Sequence, residues 1–242
     1  MSTNKENPVI EAVVDFRFSS DLTTKQCEEF QGRLSQHLGE GSKPDPIVIT
    51  KVAFEPEVDP TPSTKTIGYT LKGSAPETAT QLRTNAFSFH MLAPYKNWET
   101  FTTIAREHFG VLFETKPLIT RVAVRFINKL DASGIQEGGP ARYIRLSPAN
   151  PFGEIATLSS FVTQLDLQLA GDFNARITVA LPDEQEPSLP RQIILDADVF
   201  QEYTTPITSA EAWDATLPKM RIVKNMIFQT TLTQEAFDGS VR

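Results

Sequence analysis

From Asn7 to Phe18 the chain reads N-P-V-I-E-A-V-V-D-F-R-F, with Ile10, Ala12, Val14, Phe16 and Phe18 on one parity and Glu11, Asp15 and Arg17 on the other. A period of two puts these sets on opposite faces of a β-strand. The run Leu118 to Leu130 repeats the design, with Val122, Val124 and Phe126 on one side and Arg121, Ala123 and Arg125 on the other. Between them the period changes. Thr23-x-x-Gln26 is a capping box, and Cys27, Phe30, Leu34 and Leu38 then share one helical face that ends at Gly39 and Gly41. Ile47 to Phe54 and Thr66 to Leu71 read as strands around a loop built on Pro56, Pro60 and Pro62, and Leu82 to Leu92 reads as a further strand. After Pro94, Asn97 caps a second helix on which Trp98, Phe101, Ala105, His108 and Phe109 recur at spacings of three and four.

Glycine and proline then concentrate between Gly134 and Pro140, with Pro148 and Pro151 beyond. This predicts a linker over residues 132–149, separating an N-terminal α+β half, 1–131, from a C-terminal half, 150–242. The second half opens with strands at Thr157 to Leu169, Phe173 to Leu181 and Gln192 to Glu202. Gly171 and Asp172 make the first connection a tight hairpin, and short links imply antiparallel pairing. A second capping box, Thr208-x-x-Glu211, begins a long helix carrying Trp213, Leu217, Met220 and Ile227, which Pro218 should bend or split. Runs of strands followed by a helix predict an α+β fold: antiparallel sheets with helices packed on one face, in two associated halves.

Four blocks carry a family resemblance. The opening N-P-V-I-E-A-V-V-D-F-R-F, then A-P-Y-K-N-W-E-T-F before a helix, the strand T-R-V-A-V-R-F-I-N-K with its R-x-x-x-R-x-x-N spacing, and the closing K-N-M-I-F-Q-T-T-L-T stand in this order along nearly the whole chain. Together they resemble a sporadically distributed, uncharacterised family of bacterial proteins. The resemblance implies no activity, cofactor or functional residue to carry over; patchy occurrence suits an accessory gene of host defence or of a mobile element.

Composition narrows the function classes. Over 242 residues the net charge is −7, so the overall field repels phosphate backbones and makes a nucleic-acid partner unlikely. The single cysteine, Cys27, has no intramolecular partner and falls on an apolar helix face, where it packs as a core residue. The opening segment lacks the apolar stretch of a signal peptide and no run reaches the length of a spanning helix, so a cytoplasmic protein with no membrane insertion is expected.

Three groupings are candidates for chemistry. The first is the charged face of the two signature strands, where Glu11, Asp15, Arg17, Arg121 and Arg125 either pair across a solvated sheet or hold a carboxylate or phosphate in arginine forks. The second is Asp196-x-Asp198 with Glu202, a set that either binds a divalent cation or pairs with Arg176 on the neighbouring strand. The third is the aromatic group Phe87, Phe89, Tyr95, Trp98 and Phe101, which either presents a flat stacking or partner-binding surface or forms the helix–sheet seam; Tyr95, beside Pro94, is the member expected to reach solvent and a partner. His37, His90 and His108 form no metal-type spacing, and G-x-S-x-G, P-loop and G-x-G-x-x-G turns are absent. The chain is therefore expected to be a non-catalytic binding or interaction module without cofactor or metal, its partner a protein or a small anionic ligand. The alternative is an enzyme working in an Arg/carboxylate groove on the sheet face.

Overall fold

Strands predominate, and hydrogen bonding joins them into a single nine-stranded antiparallel sheet in this computed structural model, which describes residues 7–39, 44–53, 61–72, 77–114, 116–132, 139–152, 158–183 and 191–236. In chain order the strands are β1 (Val9–Phe18), β2 (Pro44–Ala53), β3 (Thr61–Lys72), β4 (Thr78–Arg83), β5 (Ala86–Leu92), β6 (Leu118–Asp131), β7 (Phe161–Gln168), β8 (Asn174–Leu181) and β9 (Gln192–Thr208). Their order across the sheet is β2-β3-β4-β5-β1-β6-β9-β8-β7. The two signature strands are thus neighbours at its centre. β6 also pairs with β9, from Leu118 opposite Thr208 to Asp131 opposite Gln192, so one sheet continues through both parts of the chain.

The helices α1 (Thr24–Leu38), α2 (Trp98–Phe113), α3 (Ser209–Glu211) and α4 (Leu217–Thr231) cover one face. Both capping boxes form, at Thr23 and Thr208, and the Asn97 side chain accepts from the Thr100 amide. Cys27, Phe30 and Leu34 of α1 and Phe101, Ala105, Phe109 and Leu112 of α2 are buried, as expected of their stripes. Against them lie Ala12, Val14 and Phe16 of β1 and Val122, Val124 and Phe126 of β6, all fully buried. The Phe16 ring meets Phe109 at 4.6 Å and Trp213 at 6.0 Å. Between α3 and α4 the segment Ala212–Thr216 is a π-helix in which the Leu217 amide reaches back to the Ala212 carbonyl. Pro218 follows at once, so this wider turn is how the long C-terminal helix accommodates it.

Three expectations change. Leu82 to Leu92 is two strands joined at Thr84 and Asn85, because the buried parity switches from Thr80 and Leu82 to Phe87, Phe89 and Met91. A single strand cannot switch faces in that way. Pro62 lies inside β3, opposite Val52, in a stretch where, among the described residues, β3 pairs with β2 alone and a missing amide disturbs no second ladder; the rest of that proline loop, 54–60, lies outside the described residues. Part of the linker, 133–138, does too. Past it, Pro140–Arg142 forms a 3-10 turn, and Ile144 is buried and bridges to Leu232 beyond α4.

One glycine supports the site described below. Gly68 of β3 is paired with Arg83, and a Cβ there would stand 2.1 Å from the Leu82 carbonyl oxygen and 2.8 Å from the Arg83 Cα. Both atoms are backbone and cannot swing away. Gly68→Ala is expected to lower stability by about 1–3 kcal/mol, read as a fall in the thermal midpoint; an unchanged midpoint would mean that β3 and β4 separate without cost.

Candidate functional site

Among the described residues the sheet's other face carries no helix, and its side chains are set by the register of the central strands. Three rows cross it. Arg83 of β4, Ala86 of β5, Arg17 of β1, Arg121 of β6 and Glu202 of β9 form the first, and Gln81, Ser88, Asp15, Ala123 and Phe200 the second. Ala79, His90, Val13, Arg125 and Asp198 make the third. Small residues interrupt each row, at Ala86, Ala123 and Ala79. The space left at Ala86 and Ala123 is part of a depression of about 200 Å³ lined by, among others, Asp15, Arg17, Arg83, Ser88, His90 and Arg125.

Arg121 is the buried hub, only 8% exposed. One guanidinium nitrogen donates to Asp15 Oδ1 at 2.9 Å and another to Asp198 Oδ2 at 2.9 Å, bridging the strands on either side of β6. Its Cζ also lies 4.4 Å from the centre of the Phe200 ring. Burial pushes the carboxyls of Asp15 and Asp198 above the usual range, and the opposing pull of Arg121 only partly restrains it. With both its terminal nitrogens engaged, Arg121 is a structural cross-tie.

Arg125 differs. It forms a fork on Asp196, Nε to Oδ1 at 2.8 Å and Nη2 to Oδ2 at 2.6 Å, while its own side chain remains 47% exposed. Arg17 is 55% exposed and, among the described residues, forms one long ion-pair contact, 3.8 Å, with Asp15. Arg83 is exposed as well and donates to Gln81 Oε1 at 3.0 Å. Arg17 and Arg83 stand on either side of Ala86, so their remaining N–H groups border the same gap.

The acidic pair of β9 is divided between the two central arginines, Asp196 to Arg125 and Asp198 to Arg121. Arg176, expected to serve them, instead holds Asp166 of β7 at 2.7 Å on the exposed surface. Among the described residues no group of three or more His, Cys, Asp or Glu is placed to hold a metal ion, and no helix is long and apolar enough to cross a membrane.

Tyr95 departs from its expected exposure. It does not reach solvent; it is 8% exposed, its ring 5.4 Å from Phe126 and 6.1 Å from Phe101, on the helix side of the sheet. Burial pushes its phenol well above the ordinary range. The turn after β5 leads the chain back across the core to α2, and Tyr95 fills that corner.

Glu11 acquires a partner that sequence spacing did not single out. Its Oε1 lies 2.7 Å from His90 Nδ1, and the other ring nitrogen, Nε2, lies 2.9 Å from Ser88 Oγ. The hydrogen bond from His90 is the foremost reason the Glu11 carboxyl is held below its ordinary value. Ser88 and His90 alternate with the core residues Phe87, Phe89 and Met91. That alternation is legible in the sequence and assigns both to the charged face. The pairing with Glu11, 79 positions away, depends on β5 lying beside β1. No protein-family model and no curated protein matches this chain.

Proposed function

We propose that this protein is a binding module whose open sheet face takes a small anionic ligand, a carboxylate or a phosphate. The observation that supports this reading is the gap over Ala86, where two exposed guanidiniums, Arg17 and Arg83, converge on a depression with N–H donors to spare. A planar fork suits both oxyacid classes. Arg121 contributes by holding the floor of the site, and Arg125 by presenting a guanidinium already oriented by Asp196.

Isothermal titration with adipate and with inorganic phosphate tests it. Binding of one or both is expected, and Arg17→Ala together with Arg83→Ala should weaken it at least about tenfold, while stability changes by only about 0–1 kcal/mol because both side chains are exposed. Equal affinity in the double variant would remove this gap as the ligand site.

A further inference from the structure

We infer that Ser88, His90 and Glu11 form a nucleophile, base and orienting carboxylate that hydrolyse an ester whose acyl part ends in an anionic group. The inference rests on the anion-binding reading for the identity of the substrate, and on the hydrogen-bond chain alone for the chemistry.

The chain of contacts dictates the proton positions. A carboxylate only accepts, so His90 Nδ1 must donate to Glu11 Oε1 at 2.7 Å. In the neutral ring Nε2 is then the acceptor, and it sits 2.9 Å from Ser88 Oγ, whose hydroxyl supplies the proton. This is the tautomer in which an imidazole can act as general base toward a serine. All three groups lie in the central strands of the sheet, and Ser88 and His90 both line the depression. Positions on rigid strands keep such a constellation preorganised.

The reaction follows from these positions. Ser88 Oγ attacks the ester carbonyl as its proton passes to His90 Nε2, and Glu11 stabilises the resulting imidazolium. Gln81, opposite Ser88 on β4, has its Oε1 engaged by Arg83, which leaves its amide N–H groups as donors for the developing oxyanion. The intermediate collapses by breaking the carbon–oxygen bond to the alcohol, which leaves with the proton from Nε2. Water then attacks the acyl-serine, giving a proton to His90, and collapse of the second intermediate releases the acid while Ser88 recovers its proton. Ester and water become acid and alcohol, with no other reactant.

Register sets the length of the acyl group. Ala86 and Ser88 are two residues apart on one strand, about 6–7 Å, so an anion held over Ala86 by Arg17 and Arg83 places a carbonyl that far away over Ser88. A six-carbon dicarboxylic monoester has that span.

Two measurements test the inference. Intact-mass analysis after exposure to diisopropyl fluorophosphate should show one adduct, mapped to Ser88 and lost in Ser88→Ala. His90→Gln should slow labelling at least about 100-fold. Glu11 acts through His90, as a positioning residue, so Glu11→Gln should lower the inactivation rate constant without changing the probe's half-saturating concentration. An unlabelled wild-type protein, an adduct elsewhere, or labelling indifferent to His90→Gln would overturn the triad. For the substrate, 4-nitrophenyl monoadipate should be cleaved with at least about tenfold higher kcat/KM than 4-nitrophenyl hexanoate, a preference that Arg17→Ala with Arg83→Ala abolishes. Labelling of Ser88 with no preference between the esters would overturn the anionic substrate and not the nucleophile; adipate binding without labelling would overturn the nucleophile and not the anion site.

Discussion

Arg121→Ala is expected to destabilise the fold by about 3–5 kcal/mol near neutral pH, because it leaves two carboxylates, Asp15 and Asp198, facing each other with their shared cation removed. That is a large share of the stability of an ordinary domain. The loss should shrink in acid. Burial already raises both carboxyls, and without the guanidinium their folded pKa values rise further above the unfolded ones. A group raised in this way has its full stability below the unfolded pKa and loses it as pH rises through the folded pKa. Denaturant unfolding of Arg121→Ala beside wild type should therefore show a gap that is wide at pH 7 and narrows toward pH 4. Adding Asp15→Asn and Asp198→Asn should recover much of the lost stability. Arg125→Ala, in contrast, removes a half-exposed partner of Asp196 and should cost about 0–1 kcal/mol. Equal losses for Arg121→Ala and Arg125→Ala would show that the buried bridge has no special weight.

Acidification should reveal a second buried group in the wild-type protein. His108 of α2 is enclosed on the helix side, with Nδ1 2.7 Å from Thr80 Oγ1 and its ring 4.8 Å from Phe89. Burial first, and the nearby His37 second, bring its pKa down to about 4. The unfolded chain takes up this proton near pH 6.5 and the folded chain does not, so the stability attached to His108 is intact at pH 7 and drains away from about 6.5 down to 4. The expected loss is about 3 kcal/mol by pH 4. Comparing unfolding free energies of wild type and His108→Gln across that range isolates the effect, since the carboxylates are common to both. Parallel curves would mean that His108 is protonated in the folded state without penalty.

How far the architecture could be read in advance depended on the range of the interaction involved. Period-two alternation at Ile10 to Phe18 and Val122 to Phe126, and the caps at Thr23, Asn97 and Thr208, are local, and these elements stand where local chemistry puts them. The turn at Thr84 and Asn85 was also encoded locally, in the parity switch between Leu82 and Phe87, but an uninterrupted polar–apolar mixture concealed it. Strand order is another matter. Nothing in the run containing Arg121 specifies that Asp15 will lie on one side and Asp198 on the other, and it is this placement that turns an apparent ligand arginine into an interior tie. Tyr95 failed for a related reason: a turn residue beside proline is usually exposed, but here the turn re-enters the core. Ser88 and His90 could be assigned to a face, yet their relation to Glu11 exists only across β1 and β5.

The central position of β1 has a consequence for how the protein is made. β1 leaves the ribosome before any of its partners: β5 begins at Ala86 and β6 at Leu118, and the bond from Arg121 to Asp15 joins residues 106 positions apart. During synthesis this apolar, alternating strand must wait with both edges open, the condition in which strands pair with other chains. Its outward face carries Glu11, Asp15 and Arg17, charges that discourage such pairing until their own partners arrive. Closure of the hub comes later still, when Asp198 of β9 has emerged. A nascent chain halted before β9 would hold an arginine with half its cradle, and folding of the central sheet should be slow and nearly all-or-none, governed by contacts distant in sequence.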